Sequence, residues 1–274
     1  MPGWIIAVRM KMKNNMDLID FDLLKAHAIK KPKEFLYSHP EYRLSIWEWL
    51  KLKYFIFLRN HGYSVAAITK HKEFYGLDFF VNKHVLIPRP DTELMVTEVI
   101  EEIKKTNEKI TLVDVGTGSS CIPISVLKNL PEPVPTYAID ISSQALKVAK
   151  KNAENYGIKI QFLRGNLLEP ILQKISGKII STANLPYLTE QQFKNEPSIA
   201  REPKNALVAK NNGLALYEEL LQQIKTSGLD ATIFLEIDPS QTEAINKLIT
   251  KYLPESKIEI KKDLGGLNRL VKIS

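Results

Sequence analysis

From residue 109 to the end of the chain, short apolar runs alternate with stretches whose apolar residues recur at helical spacing. Residues 110–115, 134–139, 159–163, 178–183 and 231–237 read as strands with helical patterns between them. Strands joined by helices pair in parallel, because a parallel neighbour is reached only by a long crossover. Two closing runs, residues 257–260 and 268–273, are joined through Gly265-Gly266 and fit an antiparallel pair. The expected fold is α/β: a Rossmann-like sheet of about seven strands with helices on both faces.

The first quarter of the chain follows another pattern. Residues 17–30 place Leu18, Phe21, Leu24 and Ala28 at helical spacing. Ser45 and Glu48 form a capping-box pair ahead of a helix carrying Ile46, Trp47, Trp49, Leu50, Tyr54, Ile56 and Phe57, and Gly62 ends it. A short helix follows over residues 64–70, and Pro32, Pro40 and Gly62 mark the breaks. This is a small all-helical domain whose aromatic residues are expected in its core. In the next stretch, residues 73–81 read as a hairpin strand and Val85-Leu86-Ile87 as a further strand. Pro88 and Pro90 stiffen a loop around Arg89, and Asp91 or Thr92 can cap a helix running to Lys105. The chain therefore divides into a helical domain (1–72), a hairpin and linker (73–93) and a sheet domain (94–274).

Composition narrows the function classes. Cys121 is the only cysteine, so no internal disulfide can form and a cytoplasmic location is expected. The five histidines are scattered, no Cys/His cluster has zinc spacing, and no metal site is expected. No apolar run approaches the roughly 20 residues of a membrane span. The apolar patch over residues 4–8 lacks a basic segment before it and is not a secretory signal. With Met10, Met12 and Met16 as alternative starts, it is expected to be a disordered leader. The net charge is +7, and residues 1–85 carry 14 Lys and Arg against 8 Asp and Glu, an excess of +6. That region is expected to face an acidic partner, either RNA or an acidic protein. A monomer is the default expectation.

The chemistry gathers at the carboxyl ends of the strands, where open α/β sheets bind ligands. The first strand ends in Asp114-Val115-Gly116-Thr117-Gly118-Ser119-Ser120, whose glycines let the backbone turn sharply and approach a ligand. Cys121 stands where the dinucleotide fingerprint has its third glycine, which argues against NAD and against a pyrophosphate clamp. Asp140 ends the second strand and is placed to accept both hydroxyls of a ribose. Asn166 and Leu167 follow the third strand, where an amide can read an adenine edge and Leu167 can cover its face. These features fit an adenosine cofactor without phosphates, and S-adenosylmethionine meets that description. Asn184-Leu185-Pro186-Tyr187 follows the fourth strand. The Asn184 amide, the Leu185 carbonyl and the Tyr187 ring form a socket for a planar –NH₂ group, with Pro186 stiffening the turn. Such a socket suits methylation of an amide or an exocyclic amine.

With these motifs in hand, the chain resembles the release factor glutamine methyltransferases of the HemK/PrmC type, from about Phe21 to the end. The most specific part is Leu86-Ile87-Pro88-Arg89-Pro90-Asp91-Thr92-Glu93, preceded by Glu73-Phe74-Tyr75-Gly76. Asn184-Leu185-Pro186-Tyr187 stands where the family has Asn-Pro-Pro-Tyr, and Glu202-Pro203, Ala206-Leu207, Gly213-Leu214, Glu236-Ile237 and Asp263-Leu264 with Arg269 fit its later pattern. The resemblance implies a class I methyltransferase domain behind a helical substrate-recognition domain. It implies methyl transfer from S-adenosylmethionine to the side-chain nitrogen of the glutamine in the Gly-Gly-Gln loop of peptide chain release factors. Carried over by position, the cofactor site comprises Gly116, Thr117, Gly118, Ser119, Ser120, Asp140, Asn166, Leu167 and Asn184. The catalytic set is Asn184, Leu185, Pro186 and Tyr187. The chain departs from the family in Lys70, Ser120, Asn166, Leu185 and Asp238. The Leu185 departure makes the tetrapeptide identical to that of rRNA adenine dimethylases, which carry their helical domain after the catalytic one. The competing readings are a glutamine methyltransferase of a ribosomal protein, an N6-adenine methyltransferase of nucleic acid, and an adaptor without cofactor binding.

Overall fold

The computed structural model describes residues 16–274 apart from Ser176; the expected leader lies outside the described residues. The chain forms two compact units, one ending at Lys70 and one spanning His71–Ser274.

The first unit is helical: α1 (Leu18–Ile29), α2 (Lys33–Ser38), α3 (Ile46–Asn60) and α4 (Val65–Thr69). Asp17 caps α1, Ser64 caps α4, and Ser45 and Glu48 close the capping box of α3 in both directions. Phe21, Leu24, Ala28, Leu52 and Ile68 form the core. The expectation that the α3 aromatics are core fails. Trp47 is 72% exposed, and Ile46, Leu50, Tyr54 and Phe57 are exposed as well. At 100° per residue these five side chains occupy an arc of about 100° on one face of α3. A unit of four short helices has too little interior to bury an apolar helix all round, and only Leu52 of α3 is fully buried.

The second unit opens with a two-stranded antiparallel hairpin, β1 (His71–Phe74) and β2 (Leu77–Phe80). A seven-stranded sheet follows, built from β3 (Ile110–Val115), β4 (Thr136–Asp140), β5 (Gln161–Arg164), β6 (Lys178–Ala183), β7 (Ala231–Glu236), β8 (Ile258–Lys262) and β9 (Asn268–Ile273). Its order is β5-β4-β3-β6-β7-β9-β8. The first five of these strands pair in parallel, and β9 lies antiparallel between β7 and β8. Alternate residues of each central strand feed two cores. Val113, Val115, Ile179, Ile233 and Leu235 pack against helices α9 (Ala215–Ser227) and α10 (Thr242–Tyr252). Leu112, Ile180 and Phe234 pack against α5 (Glu93–Lys105), α6 (Cys121–Lys128) and the hairpin residues Phe74 and Phe79. Between α6 and α9 lie α7 (Ser143–Tyr156) and α8 (Glu190–Asn195).

Two local expectations are corrected here. Val85-Leu86-Ile87 is not a strand: the Ile87 N–H donates to the Glu202 carboxylate at 3.0 Å, and the Val85 N–H donates to the Asn82 carbonyl. Neither Asp91 nor Thr92 caps α5 with its side chain; Thr92 occupies the N-cap position, but its hydroxyl lies at Asn184.

Candidate active site

Strand order reverses between β3 and β6, since β4 and β5 extend one way and β6 and β7 the other. A crevice forms at such a switch point, outside the carboxyl ends of the strands. Here it holds a cavity of about 1070 Å³, its open mouth included. Gly116, Thr117, Gly118, Ser119, Asp140, Asn166, Leu167, Asn184, Leu185 and Pro186 all line it.

The loop after β3 spends its amides internally. The Gly116 and Thr117 N–H groups both donate to the Ile139 carbonyl at 2.9 Å, and the Gly118 N–H donates to Asp140 Oδ2 at 2.9 Å. With those three amides committed within the protein, the loop fits a nucleoside cofactor without phosphates. Gly116 has a φ of +72°, which favours glycine, and an added Cβ would stand 2.9 Å from the tip of the Leu185 side chain. Ser120 does not line the cavity. It sits fully buried beneath the loop in the left-handed conformation, φ +61°, which explains why glycine suits this place. Its hydroxyl meets that of Thr117 at 2.7 Å. Below it, Asp114 accepts from the Thr182 hydroxyl at 2.6 Å, and burial raises its carboxyl to about 7.

Asp140 carries the carboxylate expected at a ribose. Each oxygen accepts one backbone N–H, from Gly118 and from Ser142 at 2.8 Å, and keeps lone pairs for a ligand. Burial raises its pKa against those two bonds. Asn166 donates its Nδ2 to Glu219 Oε1 at 2.5 Å and to Glu169 Oε1 at 3.3 Å. Leu167 and Leu216 give the adjoining surface an apolar character, as does Ile141, an exposed isoleucine that sequence pattern did not mark.

Asn184 follows β6 directly and donates from Nδ2 to the Thr92 hydroxyl at 3.1 Å. The Thr92 hydroxyl in turn favours the charged form of the Glu236 carboxyl, a group whose pKa is raised by complete burial, although Oε2 has no partner of full hydrogen-bond geometry. Two members of the tetrapeptide differ from expectation. The Leu185 carbonyl is not free: it lies 3.4 Å from the Tyr217 hydroxyl, whose shorter bond goes to the Glu236 carbonyl. Tyr187 does not line the cavity. Its hydroxyl donates to Glu236 Oε1 at 3.2 Å, and its carbonyl accepts from Gln241 at 2.9 Å. Burial, then the Glu236 charge, pushes the Tyr187 phenol well up.

The segment from Leu86 to Glu93 is a row of tethers. Glu202 takes the Ile87 N–H and pairs with Arg89; Arg269 pairs with Asp91 at 3.3 Å; Glu93 accepts the Tyr75 N–H at 2.9 Å. Thr92 in the same run holds Asn184. His84, Val85, Leu86, Pro88 and Arg89 thereby line the cavity, as do Asn205 and Ala206.

Residues 91–208 match the family described as Methyltransferase small domain. A protein of Enterococcus faecalis, a release factor glutamine methyltransferase, is 41% identical over 213 residues, covering 76% of this chain and 74% of that one. The chain belongs to the release factor glutamine methyltransferases. A member from Mycoplasma mycoides subsp. mycoides is 33% identical over 271 residues, 96% of this chain and 95% of that one, so the relation includes the helical unit. Among solved structures, the hMettl16 catalytic domain in complex with MAT2A 3′UTR hairpin 6 superimposes with a TM-score of 0.57 at 17% identity, over 77% of this chain and 80% of that one. That likeness shows the fold.

For a release factor glutamine methyltransferase, several site residues carried no local signal. Asn152, buried on α7, accepts the Phe80 N–H at 2.9 Å and donates to the Phe80 and Ser119 carbonyls at 3.0 Å, tying the hairpin to the loop after β3. Glu219 and Tyr217 sit on α9, Tyr217 among its buried residues. Their partners lie 53 and 32 residues away, at Asn166 and Leu185.

Proposed function

We propose that this protein transfers the methyl group of S-adenosylmethionine to the side-chain nitrogen of the glutamine in the Gly-Gly-Gln loop of peptide chain release factors. The observation that carries the reading is the shared cavity: Asn184, tethered to Thr92, opens onto the same crevice as Asp140 and the loop over residues 116–118. Family membership supports the reaction, and the spent amides of that loop support a cofactor without phosphates. When bound, S-adenosylmethionine supplies an electrophilic methyl group on a sulfonium sulfur.

The protein's part is orientation and acceptance of hydrogen bonds. An amide nitrogen is a poor nucleophile because its lone pair is delocalised into the carbonyl. The Thr92 hydroxyl accepts from Asn184 Nδ2 and so leaves Asn184 Oδ1 free to accept. That oxygen and the second lone pair of the Leu185 carbonyl would hold the two N–H bonds of the substrate amide. Holding them aims the nitrogen and returns electron density to it, and orientation of this kind supplies much of the rate. The same acceptors stabilise the positive charge that grows on nitrogen. The proton leaves after transfer, so no general base is required beforehand. Asp140 would accept from the ribose hydroxyls, and Leu167 would pack on the adenine.

The helical unit supports the recognition of a protein substrate, since α3 presents an exposed apolar face of Ile46, Trp47, Leu50, Tyr54 and Phe57. Among the described residues no helix is long and apolar enough to cross a membrane, and a modifier of release factors would work in the cytoplasm. The test is methyl transfer from labelled S-adenosylmethionine to purified release factor, beside a release factor whose loop glutamine is changed to alanine. Label on the first alone supports the reaction and its target; label on neither, with cofactor binding intact, would move the search to ribosomal protein and nucleic acid.

A further inference from the structure

We infer that Glu219 is a specificity-determining positioning residue: it locks the Asn166 amide so that only its carbonyl faces the cavity, and the site thereby takes a 6-amino purine nucleoside and rejects the 6-oxo form. The inference rests on the cofactor reading above and adds a residue to it.

Asn166 follows β5 and lines the cavity beside Asp140, which ends the adjacent strand β4. A ribose held at Asp140 would bring its base toward Asn166 and Leu167, which follow the adjacent strand and line the same cavity. An aspartate here would need no orienting, because both of its oxygens accept. An asparagine has one accepting and one donating end, and the two ends select opposite bases. A 6-amino group donates and matches Oδ1; a 6-oxo group accepts and matches Nδ2.

The neighbours decide which end faces the ligand. Nδ2 meets Glu219 Oε1 at 2.5 Å and Glu169 Oε1 at 3.3 Å. Ionised carboxylates accept and never donate, so a flipped amide would set its oxygen against two anionic oxygens. The orientation is thus forced by chemistry rather than by a choice between two equivalent placements. Both donors of Asn166 are occupied, and Oδ1 has no partner among the described residues. Glu219 is partly buried and lies on α9 one turn after Leu216, which lines the same cavity, whereas Glu169 is exposed. We therefore assign the larger share of the locking to Glu219.

The experiment is calorimetric titration of the full chain with S-adenosylhomocysteine and with S-inosylhomocysteine. A site built to pair a base group rejects the analogue that cannot pair, so the unaltered protein should prefer the adenine form by about tenfold or more. Glu219→Ala leaves only the longer bond to the exposed Glu169 on the amide, and the preference should fall to about twofold or less. Adding Asn166→Asp to Glu219→Ala should restore the preference, since a carboxylate accepts on either oxygen. A merely structural role for Glu219 would lower both affinities together and would not be rescued by that second change. An unchanged preference in Glu219→Ala, or no rescue in the double variant, overturns the inference. Equal binding of both forms by the unaltered protein overturns the inference alone; no binding of either overturns the cofactor reading with it.

Discussion

Asn184 commits its amide nitrogen to the Thr92 hydroxyl, which leaves Oδ1 to accept. Replacing Asn184 by alanine removes an acceptor that works mainly as charge develops on nitrogen. Asn184→Ala should therefore lower kcat about 10²- to 10³-fold while the dissociation constant for S-adenosylmethionine stays within about twofold, read by steady-state kinetics and calorimetry. Equal losses in kcat and cofactor affinity would sink the assigned role. Ser120 shows the opposite case, a departure from the family that the structure accommodates. Its left-handed backbone costs about 1 kcal/mol, and the buried bond to the Thr117 hydroxyl offsets part of that cost.

At the scale of elements, the loop after β6 is positioned from behind. The Tyr187 carbonyl presses on Gly213, where an added Cβ would stand 1.9 Å from it and where φ is +83°. Gln241 pins the same carbonyl and that of Asn212. Gly213→Ala must push the tetrapeptide loop outward. Its expected cost is about 3 kcal/mol of stability in urea unfolding, with activity falling further than cofactor affinity. A fully active, equally stable variant would contradict this packing. In the helical unit, α3 offers the other element-level prediction. Trp47→Ala with Phe57→Ala removes exposed side chains, so the melting temperature should barely move. The KM for release factor should rise about tenfold or more, with kcat nearly unchanged; a KM equal to that of the unaltered protein would remove this face from recognition.

For the whole molecule, the buried carboxyls under the sheet tips set a pH dependence. Burial raises Asp114 from 3.8 to about 7, so the folded chain keeps a proton that the unfolded chain gives up. Stability from this group is full below pH 3.8 and declines until the pH passes about 7, by up to about 4 kcal/mol. Asp140 and Glu236 are shifted in the same direction by burial. Between pH 5 and pH 8, urea midpoints of the unaltered protein should fall more steeply than those of Asp114→Asn, the difference reaching about 3 kcal/mol. Parallel curves would show that Asp114 is ionised throughout.

Local patterning accounts for the sheet strands and the longer helices, although not for α2 or α8, and it places a strand at Val85-Leu86-Ile87 where none forms. Ile110–Val115 and Lys178–Ala183 carry the bounds read from their apolar runs, and the Ser45 capping box forms as its spacing requires. These are local or periodic signals, written by neighbours in the chain, whereas the strand order that sets the switch point is seen only in the fold. The tertiary structure alone decided what each polar group does there. Ile87 gives up a strand because Glu202, 115 residues later, takes its N–H; Thr92 leaves a helix cap for Asn184, 92 residues later. Tyr187 turns to Glu236 instead of the cavity, and Asn166 is oriented by Glu219. Trp47 stays outside because α3 is apolar on more faces than its small unit can bury. Side-chain bonds between distant residues satisfy buried donors and acceptors wherever the fold brings them together, and that requirement leaves no period in the sequence.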